Sequence, residues 1–237
     1  MAGQHAGDGG DHSTGAGGGA GRGAPVLSEA ELGIAAHDGP LRIGLVSDTH
    51  IPEARAELWP EVLDAFGGLD LILHGGDLHE LSVLEALAEV APVYSARGNG
   101  EDGSGGRPVT PDHPRLRPSW LLELGGFRVG LTHDLPVPER PPNLTVARWC
   151  ERRFGTTEVD IVVYGHTHVE AIDVVGPTLC VNPGSPTYPH NLQTQLGTVG
   201  ILEVADGTAR ASIWQLGPEG LEAFAGIEPV HHRGGER

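Results

Sequence analysis

The sequence is poor in cysteine, in positive charge and in long apolar runs, and each shortage narrows what the chain can be. Only Cys150 and Cys180 occur among 237 residues. The start of the chain lacks the apolar core of a signal peptide, so we expect free thiols, a reducing compartment and a cytoplasmic location. Lys and Arg number 15 against 32 Asp and Glu, and the net charge of −17 disfavours a broad nucleic-acid-binding face. No run of about 18 apolar residues occurs, so no membrane span is predicted.

Glycine is concentrated at the start of the chain, where large apolar residues are almost missing. Residues 1–23 are mostly Gly, with Ala, Asp, His and Ser between. Such a segment cannot bury enough surface to offset the entropy lost on ordering. We therefore predict a disordered Gly-rich N-terminal tail over residues 1–40, one domain over 41–217, and a C-terminal tail over 218–237.

The central region alternates short apolar runs with amphipathic segments. Residues 42–47, 70–74 and 92–96 are typical of buried strands, and residues 53–66 and 80–90 of the helices between them. This alternation predicts parallel pairing with right-handed crossovers. The second half is richer in strands and includes a hairpin signal at Gly125-Gly126. It also contains a helical segment over residues 143–154, for which Asn143 is the expected N-cap. The fold class predicted is α/β, with two stacked mixed β-sheets flanked by helices.

Residue types that commonly bind metals follow several of these strands. Asp48 and His50 come after the first strand, and they are two apart, so on an extended chain they address one ion. Ligands of open α/β sheets bind beyond the carboxyl ends of the strands, which makes this edge a convergent site. The remaining candidate ligands at strand ends are Asp77, Asn99, His133, His166 and His168.

The candidate ligands combine carboxylate and amide oxygens with imidazole nitrogens and include no thiolate. This mixture suits Mn, Fe, Zn, Co or Ni better than Mg or Ca, and we take Mn as the first choice. Seven ligands are too many for one tetrahedral ion. They suit two divalent ions that share a carboxylate at a separation of roughly 3.5–4 Å.

The order of these motifs resembles the five signature blocks of the calcineurin-like metallophosphoesterase superfamily. The blocks are DTH, GGD, GN, TH and GHTH, and together they span most of residues 41–216. The following Asn182-Pro183-Gly184-Ser185 is similar to the small bacterial and archaeal phosphodiesterases of the YfcE-like branch. The resemblance implies a four-layer αββα sandwich and a metal-dependent phosphoesterase.

The resemblance also implies a role for each matched residue. Asp48, His50 and His168 would hold the first ion, Asp77 would bridge, and Asn99, His133 and His166 would hold the second. A hydroxide bridging the two ions would attack phosphorus, so that a phosphodiester is hydrolysed. Asn99 would stabilise charge on the phosphoryl oxygens together with the metals, and Arg97 would assist as a charged donor.

Five positions depart from the pattern of the resembling family. Gly100 stands where many members carry a histidine, a candidate general acid, and the acid that usually follows is represented by Glu101. Asp134 and Leu135 stand where the branch often carries a glycine and a histidine, so the second histidine of that block is missing. His190 lies near the place of an arginine that relatives often carry and is a candidate substrate contact.

Two other functions stay open at this point. One is a protein-interaction scaffold, as in the retromer subunit built on this fold, and the other is a protein phosphatase. The intact ligand set favours the enzyme, and the acidic surface favours a small phosphodiester or phosphomonoester over long nucleic acid. A homodimer is compatible with the exposed sheet edges. We expect His74 to be structural and His79 to be a solvated residue at a helix start.

Overall fold

The computed structural model describes residues 26–35, 39–205 and 207–234. They form two mixed sheets with few helices, as predicted. The N-terminal half contains β1 (Val26–Ser28), α1 (Glu29–Leu32), β2 (Leu41–Val46), α2 (Pro60–Ala65), β3 (Leu71–His74), α3 (Ser82–Ala88), β4 (Val93–Ala96), β5 (Leu116–Arg117), β6 (Ser119–Leu124) and β7 (Phe127–Thr132). The C-terminal half contains α4 (Val146–Phe154), β8 (Ile161–Val163), β9 (Ala171–Val175), β10 (Thr178–Asn182), β11 (Thr198–Ala205), β12 (Thr208–Gly217), β13 (Gly220–Ala223) and β14 (Val230–Arg233).

The two sheets stack through one apolar core. The six-stranded sheet has the order β1-β6-β7-β8-β10-β9, and the eight-stranded sheet runs β13-β12-β11-β2-β3-β4-β5 with β14 beside β12. Inward side chains from both sheets are fully buried against each other, among them Ile43 and Leu73 from one sheet and Leu122 and Val129 from the other. The parallel neighbours β2, β3 and β4 end at the same edge, which positions the loops that follow them.

Helices cover the outer face of each sheet. Helices α2 and α3 pack on the eight-stranded sheet through residues such as Phe66 and Leu84. Helix α4 packs on the six-stranded sheet through Phe154 and Cys150, and a side chain on Gly130 would lie only 2.6 Å from the Phe154 ring. Both cysteines are free and buried, as predicted. Among the described residues, no helix has the length and apolar character needed to cross a membrane.

The predicted domain limits were too narrow at both ends. Strand β1 lies inside the predicted tail 1–40 yet pairs in parallel with β6, and the α1 residue Glu29 accepts a hydrogen bond from the Gly125 amide. Strands β13 and β14 lie inside the predicted tail 218–237 and both pair with β12. Strands of three or four residues are too short to show a clear alternation of apolar and polar residues, so the sequence does not reveal them. Their stability comes from pairing with strands that are distant in the sequence. The prediction of disorder for residues 1–23 falls outside the described residues.

Two helix starts also differ from the prediction. The helix expected over residues 53–66 begins only at Pro60, because a proline suits the first helical position and holds the preceding Trp59 in an extended conformation. Helix α4 is capped by Thr145, whose hydroxyl accepts from the Arg148 amide, and not by Asn143 as expected.

Candidate metal centre

The seven candidate ligands converge at one edge of the molecule. Each follows the carboxyl end of a strand, namely β2, β3, β4, β7 or β8. The polar atoms of neighbouring ligands lie between 3.1 and 3.6 Å apart within two groups, and the pair Asp48 and His168 lies within 4.8 Å of His50, which links all seven side chains into one cluster. The structure thus brings together every residue that the motifs singled out as a ligand: Asp48, His50, Asp77, Asn99, His133, His166 and His168.

The first half of the cluster is buried. The Nε2 atom of His168 lies 3.6 Å from Oδ1 of Asp48, and one ligand atom from each of Asp48, His50 and His168 falls within 4.8 Å of the others. Asp48 has no solvent exposure. Burial raises the pKa of Asp48 well above its ordinary value, and the nearby Asp77 adds to this effect. A bound cation would reverse this cost of holding the carboxylate ionised.

The second half is more open. Oδ1 of Asn99 lies 3.2 Å from Nε2 of His133 and 3.1 Å from Nδ1 of His166, and these two nitrogens are themselves 3.1 Å apart. His166 is exposed, and a cavity of about 380 Å³ adjoins these residues. Donor atoms at this spacing suit a common ion at about 2.1 Å from each.

Asp77 joins the two halves. Its Oδ2 lies 3.4 Å from Nε2 of His50, while its Oδ1 lies 3.3 Å from Nε2 of His133. Burial acts to raise the pKa of Asp77, but the imidazoles of His50 and His133 and the Gly100 amide outweigh it and hold the pKa below its ordinary value. Each carboxylate oxygen therefore faces a different half, as a bridging ligand requires.

Hydrogen bonds at the outer ring nitrogens assign lone pairs to the inner ones. Nδ1 of His133 lies 2.8 Å from the Gly75 carbonyl, and Nδ1 of His168 lies 2.8 Å from the Tyr188 carbonyl. Each Nδ1 must donate, so each Nε2 of the neutral ring carries a lone pair that faces carboxylate or amide oxygens. Burial lowers the pKa of both rings, to about 4 for His168. Hydrogen-bond acceptors of neighbouring side chains therefore face each other with no proton between them, which is an arrangement suited to binding a cation.

His50 provides a second observation of the same kind. Its Nε2 atom is buried and makes no hydrogen bond, although Asp77 lies nearby. A buried polar atom without a partner carries a desolvation cost of about 1–3 kcal/mol, which coordination of a metal would remove. The residues present therefore fit a metal centre with oxygen and nitrogen ligands.

The backbone at the ligands is unusual. Asp48 and His50 have φ angles of 53° and 48°, and Asp77, His166 and His168 share this left-handed region. The extended geometry assumed for Asp48 and His50 is therefore wrong, although the two side chains do point to one place. Left-handed conformations of non-glycine residues cost energy and cluster at functional sites, where surrounding contacts hold them.

The segment Asn182–Ser185 supplies such contacts without supplying a ligand. Asn182 donates to the Gly165 carbonyl at 2.9 Å, and Ser185 donates to the Asp48 carbonyl at 2.7 Å. Thr187 donates to the Thr49 carbonyl at 2.7 Å. These bonds hold the loops after β2 and β8 in place, which confirms the prediction that this motif shapes a loop supporting the site.

Glu101 is a buried residue whose importance the motif comparison did not reveal. Its Oε2 accepts from the Gly98 amide at 2.6 Å and from the Asp77 amide at 3.2 Å, and its Oε1 accepts from the His79 amide at 2.7 Å. Burial raises its pKa, while these backbone donors act in the opposite direction. One carboxylate thereby ties the loop carrying Asn99 to the loop carrying Asp77. Its place shortly after the GN block was the available signal.

Arg97 does not point at the cluster. Its guanidinium donates to the carbonyls of Glu101 and Thr110, the latter at 2.8 Å, and to Pro111. The structure thus gives these donors to the loop after β4, and not to the centre where the sequence had suggested a charged donor.

His79 occupies the space that a side chain at position 100 would need. A Cβ atom on Gly100 would clash with the His79 ring. The ring also lies 4.3 Å from that of His50, so the expectation of a solvated residue at a helix start is wrong. The His79 ring can occupy this place only because residue 100 is a glycine.

Two further histidines have local partners. Nδ1 of His74 accepts from the Gly76 amide at 3.1 Å, and its Nε2 lies 3.2 Å from the Thr49 hydroxyl, which confirms the structural role expected for it. His190, the candidate substrate contact, lies 2.8 Å from Glu170 through Nε2, and its amide donates to the His168 carbonyl.

Comparison with known proteins agrees with this geometry. Residues 41–207 match the calcineurin-like phosphoesterase superfamily domain. A probable metallophosphoesterase from Methanothermobacter thermautotrophicus is 37% identical over 147 residues, which are 62% of this chain and 78% of that protein. A probable metallophosphoesterase from Methanocaldococcus jannaschii is 34% identical over 151 residues, 64% of this chain and 71% of that protein. The chain belongs to the calcineurin-like phosphoesterase superfamily, and the predicted phosphoesterase class is confirmed.

Solved structures share the fold at low identity. Vacuolar Protein Sorting 29 from Cryptosporidium parvum aligns with a TM-score of 0.62 and 18% identity over 83% of this chain and 100% of that one. Vps29 from Entamoeba histolytica, solved with Zn²⁺, aligns with a TM-score of 0.60 and 22% identity over 80% of this chain and 98% of that one. A predicted phosphoesterase from Streptococcus pneumoniae aligns with a TM-score of 0.53 and 22% identity over 83% of this chain and 99% of that one. These likenesses establish the fold alone.

Proposed function

We propose that the chain hydrolyses small phosphodiesters at a centre of two divalent metal ions. The observation that carries the proposal is the position of Asp77, whose two carboxylate oxygens face histidines in opposite halves of the cluster. One ion would take Asp48, His50 and His168, and the other Asn99, His133 and His166. When bound, such a pair supplies a bridging hydroxide near neutral pH for in-line attack on phosphorus.

The protein's own groups orient the phosphoester. Oδ1 of Asn99 faces the two imidazoles of its half, so its amide N–H groups remain as donors for a phosphoryl oxygen in the adjoining cavity. Arg97 and Glu101 hold the loop that carries Asn99, so Arg97 enters the proposal as a positioning residue. The net charge of −17 argues against long nucleic acid as the substrate.

The ligand chemistry supports a transition metal. Oxygen and imidazole ligands suit Mn, Fe, Zn, Co or Ni, and we keep Mn as the first choice. The Zn²⁺ in the Vps29 structure from Entamoeba histolytica supports a site of this kind on the same fold. A cytoplasmic location and a homodimer stay predictions.

The first experiment is hydrolysis of bis-p-nitrophenyl phosphate by chelator-stripped protein, with and without added Mn²⁺. We expect hydrolysis only with the metal. Equal hydrolysis without metal would refute the mechanism. Phosphoserine peptides and p-nitrophenyl phosphate run in parallel would detect a protein phosphatase or a monoesterase by faster cleavage than the diester.

The alternative of a protein-interaction scaffold is supported only by the Vps29 likeness, which concerns the fold. Bound Mn²⁺ with no hydrolysis of either class of ester would favour the scaffold. The complete ligand set beside an open cavity favours the enzyme, because the cavity gives a phosphoester access to the centre.

A further inference from the structure

A cavity of about 570 Å³ lies next to the metal centre and shares no lining residue with the cavity beside Asn99 and His166. This size lies in the range of small-molecule sites, roughly 300–1,000 Å³. Much of its wall is apolar and rigid, because three of its lining residues are prolines. The apolar lining includes Pro52, Leu81, Pro108, Val109 and Pro111, and Arg107 lies among them.

The cavity adjoins the proposed site of reaction through two residues of its lining. Gly100 and His79 line it. The Gly100 amide donates to Oδ1 of Asp77 at 2.7 Å, and a Cβ atom on Gly100 would lie 3.1 Å from that oxygen. The His79 ring contacts that of His50. A group in the cavity is therefore separated from the bridging carboxylate by a single residue.

Polar contacts hold the walls of the cavity in place. Arg107 donates to both carboxylate oxygens of Glu53, at 3.0 and 3.2 Å, and so joins the loop after β4 to the segment after β2. The Thr110 hydroxyl donates to the His79 carbonyl at 2.7 Å. Beside these contacts the prolines and Val109 offer apolar surface to a ligand, and Val109 is 67% exposed.

The polar cavity beside the second half of the centre has a different lining. It contains Arg97, Asp102, Asp134 and Arg153, and Arg153 pairs with Asp134 at 2.8 Å. The two cavities beside the centre thus differ in lining: one has three prolines and Val109, and the other has paired charges. Of the two, the cavity lined by Val109 suits an apolar substituent of a phosphoester held at the metals.

We propose that the cavity lined by Val109 binds an apolar, flat substituent of the phosphoester, such as an aryl group, and thereby sets the enzyme's substrate class. This inference rests on the proposed function, since it assumes that the phosphoryl group sits at the metal centre. Val109 and the neighbouring prolines form an apolar surface that is exposed to water beside the buried polar cluster. Contact with an apolar substituent would remove this surface from water, which favours binding.

The test compares phenylphosphonate with methylphosphonate by isothermal titration calorimetry on the Mn²⁺-loaded protein. Both present the same anionic group to the metals, so the ratio of their dissociation constants isolates the phenyl ring. We expect phenylphosphonate to bind at least about tenfold more tightly. The substitutions Val109→Ser and Val109→Asp should each reduce that ratio at least about threefold, with methylphosphonate affected less.

Val174→Ser is the matched control, because Val174 is also an exposed valine, at 55%, but lies on β9 away from the cavity. It should keep the wild-type ratio. A ratio near one in the wild type, or an unchanged ratio in folded Val109 variants, would overturn the inference. Absence of metal-dependent hydrolysis with the expected ratios would refute the proposed function instead, so the two failures are distinguishable.

Discussion

The two halves of the metal centre are built from similar residues but placed in different surroundings. Asp48 and His168 of the first half are almost without solvent exposure, whereas His166 of the second half is exposed and Asn99 borders a cavity. The first half has its own carboxylate, and the second has an amide and shares Asp77. Because attraction between charges strengthens as the dielectric falls, the first half should hold its ion more tightly. On the proposed mechanism, we expect the second half to exchange its ion and to contact substrate.

The halves also differ in how they are supported. Neutral hydroxyls of Ser185 and Thr187 hold the backbone of the first half. The charged Glu101 holds the loop that brings Asn99 to the second half. A carboxylate with several backbone donors makes stronger bonds than a hydroxyl with one acceptor. The more exposed second half is therefore supported by the stronger hydrogen bonds, those to Glu101.

The largest effect should come from breaking the connection between the halves. Asp77→Asn replaces a bridging carboxylate with an amide that offers only one acceptor oxygen, so we expect kcat/KM for bis-p-nitrophenyl phosphate to fall by at least about 10³-fold. Metal content per chain should fall with it. Asp64→Asn, an exposed acid on α2, should behave as wild type. Retention of two ions and full activity in the Asp77 variant would disprove the bridge.

A smaller but more selective effect is expected from variants confined to one half. His166→Ala should lower activity by about 10²–10³-fold while one ion per chain stays bound through gel filtration. Asp48→Asn should lower activity by a similar factor but lose the tightly held ion, as measured by elemental analysis. His231→Ala, an exposed histidine on β14, is the control. Equal ion loss from both variants would remove the distinction between the halves.

Glu101→Gln should weaken the second half without touching a ligand. Its amide nitrogen cannot accept, so at least one of the buried N–H groups of Gly98, Asp77 and His79 loses its partner. We expect a loss of about 10–100-fold in activity or in the affinity for the weaker ion. The Mn²⁺ concentration for half-maximal activity is the readout. Glu85→Gln on α3 provides an exposed control, and an unchanged Mn²⁺ dependence would argue against a positioning role.

Ser185→Ala should have the smallest effect on the centre. It leaves the Asp48 carbonyl without this donor, so the free energy of unfolding should fall by about 1–3 kcal/mol, measured by denaturant titration. Both ions should remain, and activity should fall only a few-fold. Ser104→Ala, at an exposed position, is the control. Loss of the ion from the first half would show that the hydrogen bond from the Ser185 hydroxyl matters as much as those to Glu101.

Sequence motifs were sufficient to find the residues that cluster at the candidate metal centre, because chemistry restricts the choice of residue at those positions. Asp48, Asp77 and His168 each follow an apolar strand, and parallel strands end at a common edge, so their convergence could be predicted. The roles of Glu101, His79 and Arg97 could not, because each depends on loop conformation. The His79 ring fills the space beside Gly100 only through a left-handed backbone at 68°.

By itself the sequence determined the superfamily, the two-sheet α/β class and the residues that form the candidate metal cluster, since buried strands and residue types that bind metals leave local patterns. Tertiary structure alone decided where β1, β13 and β14 pair, because strands of three or four residues are stable only beside distant partners. It also decided which group supports which half and that an apolar cavity adjoins the centre. Loops from distant parts of the chain meet at these places, and their contacts have no signature in the order of residues.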